Sequence, residues 1–235
     1  MYHDSLGETT VNVIGIGGQL GSGKDTLADY LAAKLNTRFK CALLWRRIGF
    51  AHAVKKVFMD SFNVSWDFIE TWKRNPEPPP GFDKNIRQSL KFIGDGLRQI
   101  RSNIWIETAF REDMPKIISD VRYLNEAEAI KKHDGLTVLV WREGHENDDP
   151  NPSESQIKPT VDWFVKSGLE GYVKDKLSDC LGVYGEGGKL LNPSLFDFFI
   201  RNDGNLDQLY KKVDDLLIPV IEKRYEYKCS GQDEL

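Results

Sequence analysis

The residues with the clearest chemical meaning form one glycine-rich stretch near the start of the chain, Gly18-Gln19-Leu20-Gly21-Ser22-Gly23-Lys24-Asp25-Thr26. Glycines allow backbone N–H groups to converge on phosphate oxygens, and the dipole of a following helix adds positive charge there. The spacing G-x-x-x-x-G-K also places a lysine where it reaches the β- and γ-phosphates of a nucleotide. The residues predicted to bind a nucleoside triphosphate here are Gly18, Gly21, Ser22, Gly23, Lys24, Asp25 and Thr26.

Such a loop requires a strand before it and a helix after it. Residues 11–16 form an apolar run typical of a buried strand, and residues 27–35 carry apolar side chains at helical spacing. The loop therefore has the flanking elements that a phosphate-binding loop needs.

The residue after the lysine departs from the common form of this loop. The hydroxyl that ligates Mg²⁺ usually follows the lysine directly, whereas here Asp25 follows it and the hydroxyl comes next, at Thr26. The Lys-x-Thr order is similar to that of nucleoside monophosphate kinases, in which Mg²⁺ is held largely through waters, and Mg²⁺ readily retains its waters. The order favours small-molecule kinase chemistry. The residues predicted to hold Mg²⁺, through water, are Asp25, Thr26 and Asp120.

A second group of polar residues, Ser119-Asp120-Val121-Arg122, follows a predicted buried strand at residues 116–120. Asp120 could hold Mg²⁺ waters or orient a neighbour, and Arg122 offers two parallel donors to a phosphate. An aspartate at a strand end is equally well explained as a helix cap. The local sequence leaves both interpretations open.

Basic residues are concentrated in the middle of the chain. Arg87, Arg98 and Arg101 fall in a predicted helical region, residues 82–106, where Arg98 and Arg101 are expected to share a face. Each alone is typical of a solvated surface charge, but together they suit the binding of an acceptor phosphate. Lys55, one turn beyond a predicted strand end, is explained equally well as a phosphate ligand or as part of an amphipathic helix.

This set of side chains suits one kind of reaction better than others. Transfer to a phosphate needs no general base, because the acceptor is already anionic at neutral pH, and it depends on positioning, Mg²⁺ and arginines. Transfer to an alcohol usually requires a positioned base. His52, His133 and His145 lack ligand spacing, so a structural zinc site is not expected.

Composition limits the remaining possibilities. A chain of 235 residues with net charge −4 fits one α/β domain and argues against a nucleic-acid partner. It has no apolar run near the roughly 18 residues of a membrane span, no secretory signal, and three scattered cysteines typical of reduced thiols. We expect a cytoplasmic protein whose partners are small nucleotides and neither nucleic acid nor membrane. A homodimer remains one option.

Alternating strands and helices predict an α/β fold with a mainly parallel sheet flanked by helices and ligands at the carboxyl ends of the strands. Strands are expected at residues 41–45, 136–141 and 195–200, and a helix at 206–217. We expect one domain spanning residues 1–235. Its predicted subdivisions are an acceptor-binding helical region at 53–106 and a lid-like, inserted segment at 142–194.

The order of these features resembles that of the phage-type deoxynucleoside monophosphate kinases over residues 11–213. Between residues 167 and 193 the chain is longer than that pattern, and Asn151 stands where the pattern has a histidine. The matching pieces are, in order, Gly23-Lys24-Asp25-Thr26, Phe50-Ala51 with Lys55, Arg87 with Leu90 and Gly94, Trp105, Asp120-Val121-Arg122 with Asn125-Glu126-Ala127, Trp141-Arg142, Ser153-Glu154, and Ile200 with Asn202-Asp203-Gly204.

The resemblance implies a P-loop kinase fold and ATP- and Mg²⁺-dependent phosphorylation of a deoxynucleoside or ribonucleoside monophosphate. It implies that Asn202 contacts the ATP base and that Arg142 and Glu154 lie on or near a closing segment. The residues assigned to the acceptor are Lys55, Arg87, Arg98, Arg101, Asp120, Arg122 and Glu154. Those assigned to catalysis are Lys24, Arg98, Asp120, Arg122 and Arg142.

Two other functions fit parts of this pattern. One is a P-loop kinase of another small phosphorylated metabolite, of the phosphomevalonate or dephospho-coenzyme A type. The other is a non-catalytic nucleotide-binding switch, which is weakened because the sequence has no Asn-Lys-x-Asp guanine-reading motif.

Overall fold

The computed structural model describes residues 12–39, 44–145, 157–173 and 193–229, with side chains up to residue 224. The chain forms two compact units, one from Met1–Arg47 with Met114–Leu235 and the other from Ile48–Asp113. The first unit contains the sheet, and the second unit is helical.

The described residues form one six-stranded sheet in the order β2-β3-β1-β4-β6-β5. Strand β1 runs parallel to β3 and β4, β4 runs parallel to β6, and the short β5 pairs antiparallel with the outer edge of β6. The predicted mainly parallel α/β fold is therefore confirmed. The strands are β1 Val13–Gly17, β2 Arg46–Ile48, β3 Lys116–Val121, β4 Leu136–Trp141, β5 Gly171–Tyr172 and β6 Phe198–Arg201.

Helices cover both faces of this sheet. Ile14 and Ile16 of β1 pack in one cluster with Leu27 and Leu31 of α1, whereas a Cβ on Gly15 would collide with Ile130 of α6 on the other face. Strands buried on both faces need apolar residues throughout, which is why the runs were visible in the sequence. The helices of this unit are α1 Lys24–Arg38, α6 Leu124–Lys132, α7 Lys158–Ser167, α8 Leu206–Lys212 and α9 Ile218–Cys229, with a π-helical turn at Val213–Leu217.

The helical unit has a small core of its own. Phe58, Ile69 and Ile86 are fully buried in it, and Ser65 and Asn85 cap the helices α3 and α4 by accepting backbone N–H groups. Its helices are α2 Phe50–Phe62, α3 Trp66–Trp72, α4 Ile86–Ile100 and α5 Ile104–Ala109.

Three predicted elements need correction. The strand expected at 41–45 is wrong in its described part, because the Asn36 side chain binds the N–H and C=O of Trp45 and the strand starts at Arg46. The last strand starts only at Phe198, since Pro193–Leu195 form a single 3₁₀ turn. The helix expected to end at residue 217 continues to Cys229 through the π-helical turn.

The predicted helical region 82–106 is also interrupted. Helix α4 ends at Ile100, and Arg101 is extended, with φ −148° and ψ 107°. Ser102 and Asn103 then form a turn before α5. Arg98 and Arg101 therefore do not share a helical face, which corrects the sequence-based expectation. In the described part of the chain, none of the helices combines the length and apolar character that crossing a membrane requires.

Candidate active site

The phosphate loop follows β1 with a backbone that requires glycine at two positions. Gly18 has φ +144° and Gly23 has φ +96°, both in the region that L side chains rarely adopt. A Cβ would collide with the Val140 carbonyl oxygen at Gly18 and with the Asn202 side chain at Gly23. The loop thus lies directly against the ends of β4 and β6.

Buried polar side chains occupy this loop. Lys24 is 8% exposed, and its Nζ donates a hydrogen bond to the Gln19 carbonyl oxygen at 2.6 Å. The Ser22 hydroxyl is buried and has no hydrogen-bond partner among the described residues. No side chain accepts a hydrogen bond at the N-cap Gly23, and the acidic residue in the first turn of α1 is Asp25.

Asn202 supports the loop from the end of β6. It is 6% exposed, its N–H donates to the Trp141 carbonyl oxygen at 2.7 Å, and its Nδ2 donates to the Ser22 carbonyl oxygen at 2.9 Å. The structure therefore places this residue against the phosphate loop. Its contact with the ATP base stays a prediction.

Asp25 lies in a polar cluster at the ends of β2 and β3. Its Oδ1 accepts a hydrogen bond from Ser119 at 3.1 Å and is 3.1 Å from Nη2 of Arg47, which also binds Asp29 at 2.6 Å. Arg47 could not be identified from local sequence patterns, because only the fold brings β2 beside α1. The described residues contain no group of three or more His, Cys, Asp or Glu side chains placed to hold a metal ion. The predicted Mg²⁺ role of Asp25, Thr26 and Asp120 therefore stays a prediction.

The turn after β3 is ordered by a buried glutamate. Glu126 is 3% exposed, and its Oε2 accepts the N–H groups of Arg122 at 2.8 Å and Tyr123 at 3.1 Å. Asp120, at the end of the same strand, and Arg122 are both half-buried. Glu126 thus fixes the backbone that carries the two predicted acceptor residues.

Arg142 and His145 follow β4 in one turn. Arg142 is exposed, and its carbonyl oxygen accepts the N–H of His145 at 3.4 Å. The His145 ring lies against Gly21, where it would meet any added Cβ, a proximity that the sequence did not indicate. Glu154, the predicted partner of this segment, lies outside the described residues, as do Ser153 and Asn151.

In the helical unit, Lys55 is held by two neighbours. Its Nζ is 2.6 Å from Oε1 of Glu70 and 4.3 Å from the centre of the Trp66 ring, while Lys73 binds the other Glu70 oxygen at 2.5 Å. Burial raises the pKa of Glu70, but the hydrogen bonds from the two lysines outweigh it, and the net pKa lies below the ordinary value. An anionic ligand at Lys55 would have to compete with Glu70.

The three predicted acceptor arginines differ in their surroundings. Arg87 is exposed at the start of α4, and Arg98 lies eleven residues later on this helix, with Nη1 3.4 Å from Asp95. Arg101 is mostly exposed and pairs with Glu107 at 2.8 Å. Their assignment to the acceptor stays a prediction.

The residues of the first unit fit both ligands that the sequence implies, the phosphates of a nucleotide and a Mg²⁺ ion. A loop with a buried lysine and an unpartnered hydroxyl at a helix N-terminus can bind the phosphates of a nucleotide. The side-chain oxygens of Asp25 and Ser119 are suitable ligands for Mg²⁺, directly or through water. Protein sites commonly bind Mg²⁺ through one or two carboxylates together with substrate phosphates. The arrangement is suited to phosphoryl transfer.

Comparisons with known proteins point in the same direction. No family model matches the chain. A protein of Acanthamoeba polyphaga mimivirus named "Putative deoxynucleotide monophosphate kinase" is 31% identical over 173 residues, which cover 65% of this chain and 86% of the viral protein.

The solved structures that match this chain are more distant in sequence. A sugar kinase from Janibacter sp. HTCC2649 is 14% identical, with a TM-score of 0.34, over 90% of this chain and 98% of its own. The Mycobacterium tuberculosis APS kinase CysC, solved with AMPPNP and APS, is 11% identical, with a TM-score of 0.34, over 89% and 98%. The family relationship rests on the viral protein alone.

Proposed function

Because this chain belongs to the family of deoxynucleotide monophosphate kinases, we propose that it transfers the γ-phosphoryl group of ATP to the phosphate of a deoxynucleoside monophosphate. A ribonucleoside monophosphate is the alternative acceptor within the same reaction. The products are ADP and the corresponding nucleoside diphosphate.

The observation that carries this proposal is the state of Lys24. Its ammonium group is buried and held by a loop carbonyl at 2.6 Å, in a loop whose glycines open the backbone toward an anion. The spacing places this ammonium group where it reaches the β- and γ-phosphates of ATP. Its hydrogen bonds to phosphate oxygens would be charge-assisted, and such bonds are about twice as strong as neutral ones.

The reaction is an in-line displacement. An oxygen of the acceptor phosphate attacks the γ-phosphorus as the bond to the β–γ bridging oxygen breaks, and that oxygen leaves with the ADP. The N–H groups of the loop and Lys24 hold the donor phosphates, and the Ser22 hydroxyl supplies one more donor. No proton has to be removed from an anionic acceptor, so the step needs no general base.

Magnesium would be held by Asp25, Thr26 and Asp120, partly through water, with Ser119 oriented on Asp25 at 3.1 Å. When bound, it neutralises the charge that develops on the β- and γ-phosphate oxygens. Arg47 of β2 lies 3.1 Å from the Asp25 carboxylate and would restrict its orientation when the nucleotide binds.

On the acceptor side we assign Arg122, because the Glu126 carboxylate fixes its backbone at the end of β3. Parallel strands place their carboxyl ends on one edge of the sheet, so this residue and the phosphate loop lie at the same edge. Lys55, Arg87, Arg98 and Arg101 are the proposed acceptor residues of the helical unit. In the segment after β4, Glu154 is a proposed acceptor residue and Arg142 a proposed catalytic residue.

An ADP-release assay with a panel of acceptors tests the proposal. The panel contains the four deoxynucleoside monophosphates, the four ribonucleoside monophosphates, phosphomevalonate and dephospho-coenzyme A, each with Mg-ATP. We expect stimulation by at least one deoxynucleoside monophosphate and none by the two metabolites. Stimulation by a metabolite alone would assign the chain to another kinase reaction, and tight GTP binding without any stimulation would indicate a switch.

A further inference from the structure

The end of β6 is held by two charged side chains that the proposed reaction does not use. Glu170 precedes β5, and its Oε1 accepts the N–H of Arg201 at 3.2 Å and the Lys212 ammonium at 2.7 Å. Lys212, on α8, also donates to the Arg201 carbonyl oxygen at 2.7 Å and to Asp203 at 3.3 Å. We call Glu170 and Lys212 the β6-end pair.

The β6-end pair supplies hydrogen bonds to the part of β6 that the short strand β5 does not reach. Strand β5 is two residues long and pairs Gly171 with Phe199 and Tyr172 with Phe198. It therefore does not reach Arg201, whose N–H and C=O would otherwise face outward from the sheet. A carboxylate and an ammonium group accept and donate in place of the missing backbone groups, and unsatisfied backbone groups are costly.

The backbone held in this way leads directly to the phosphate loop. Asn202 is the next residue, and its Nδ2 donates to the Ser22 carbonyl oxygen at 2.9 Å beside Gly23. On the other side of β6, its N–H is bound by Trp141. The peptide between Arg201 and Asn202 is thus held by Trp141 of β4 on one side and by Lys212 of α8 on the other, and Glu170 holds the preceding N–H group.

We infer that Glu170 and Lys212 are positioning residues for the nucleotide-binding loop, acting through Arg201 and Asn202. This inference rests on the proposed ATP site. It also gives a role to residues 168–173, the described start of the segment where the chain is longer than the family pattern. These residues contribute the edge strand β5 and the Glu170 carboxylate, which order the turn after β6 that carries Asn202.

The experiment compares Lys212→Met with Lys211→Met. Lys211 is the adjacent lysine and carries the same charge, but it is 75% exposed and pairs with Asp215 instead of the end of β6. The measured quantities are the dissociation constants of Mg-ATP and of the best deoxynucleoside monophosphate, and the amide hydrogen exchange of residues 18–24 without nucleotide.

For Lys212→Met we expect the dissociation constant of Mg-ATP to rise about tenfold, the size of one lost charge-assisted hydrogen bond. Exchange in the phosphate loop should become faster, and acceptor binding should be unchanged. A dissociation constant within about twofold of that of Lys211→Met, the range of a neutral surface substitution, together with unchanged loop exchange, would overturn the inference.

A second variant covers the case in which Lys212→Met does not fold. Glu170→Gln retains an oxygen for the Arg201 N–H but loses the charge that holds Lys212, so we expect weaker ATP binding and faster loop exchange of smaller size. Unchanged values overturn the inference. If the wild-type protein itself fails to bind Mg-ATP, the proposed function fails, and the loop exchange rates still decide whether the pair positions the loop.

Discussion

The side-chain amide of Asn202 donates a hydrogen bond to the carbonyl oxygen of Ser22 at 2.9 Å, although 180 positions separate the two residues. The contact joins the turn after the last parallel strand to the phosphate loop. Both residues are buried, at 6% and 1% exposed, so the hydrogen bond cannot be replaced easily by water. The proposed donor site is therefore assembled from residues that are far apart in the sequence.

Replacing Asn202 by alanine should weaken ATP binding. The change leaves a buried carbonyl without its partner, which costs about 1 to 3 kcal/mol, and we expect the KM for ATP to rise about tenfold. Steady-state kinetics at saturating acceptor measure this. The control is Asn205→Ala, which removes the cap of α8 and should lower stability by about 1 kcal/mol without changing the KM for ATP. Equal KM values in the two variants would contradict the supporting role of Asn202.

Alanine variants at Gly23 and Gly81 distinguish the effect of backbone strain from the effect of a steric clash. Both have positive φ, +96° and +84°, but a Cβ at Gly23 would collide with Asn202, whereas at Gly81 it would meet nothing within 4 Å. We expect both alanine variants to lose about 1 to 2 kcal/mol of stability through strain, and only Gly23→Ala to lose Mg-ATP binding. Calorimetric titration with Mg-ATP measures this, and retained binding by Gly23→Ala would show that the loop tolerates a side chain there.

The Mg²⁺ dependence should distinguish Asp25 from Asp29. Both carboxylates pair with Arg47, but only Asp25 accepts a hydrogen bond from Ser119. We expect Asp25→Asn to raise the Mg²⁺ concentration for half-maximal rate at fixed ATP by about tenfold or more, the typical effect of disturbing groups around a metal. Asp29→Asn should behave like the wild type. The same Mg²⁺ titration in the two variants would contradict the assignment of Asp25 to the metal site.

The pH dependence of stability should show the ion pairs of Glu70. Because the pKa of Glu70 in the folded protein lies below its ordinary value of 4.5, the paired carboxylate stabilises the fold above that value. This stabilisation is lost as the pH falls through the lowered pKa. Urea unfolding at a series of pH values should give a wild-type advantage over Glu70→Gln that is full near neutrality and declines below about pH 4.5.

The matched control for Glu70 is Glu77→Gln, since Glu77 lies on the exposed surface of the same unit. Its difference from the wild type should not decline in this acidic range. A wild-type advantage over Glu70→Gln that persists unchanged at low pH would mean that the lysine pairs of Glu70 do not stabilise the fold.

The fold could be predicted where local pattern and tertiary structure agree. The sequence predicted strands β1, β3 and β4 because strands covered on both faces are apolar throughout. It predicted the phosphate loop from its glycine spacing and α1 from its helical spacing of apolar residues. Helix α3 was missed, although its cap at Ser65 accepts the N–H of Phe68, a signal present in the sequence. Strand β5 carries no such signal, because two residues have no periodicity and its pairing with β6 is decided at long range.

The candidate site could likewise be predicted only in part. The spacing of the loop residues predicted the phosphate loop, and the structure places Gly23 and Lys24 at the positions that such a loop requires. Arg47, His145 and the β6-end pair could not be predicted, since each acquires its neighbours only when β2, β4 or β6 is placed beside α1 or the loop. Helix α7, in the predicted lid-like segment, begins at Lys158 and Pro159, since proline is favoured in the first turn of a helix.

The central claim is direct transfer of phosphate from ATP to a deoxynucleoside monophosphate. The most direct measurement incubates the protein with Mg-ATP labelled in the γ-phosphate and each deoxynucleoside monophosphate, and separates the products by anion exchange. Our account predicts label in the β-phosphate of a deoxynucleoside diphosphate, in amounts equal to the ADP formed, and a loss of at least about 100-fold in Lys24→Met. Label found only in inorganic phosphate, or product formation that does not depend on Lys24, would contradict it.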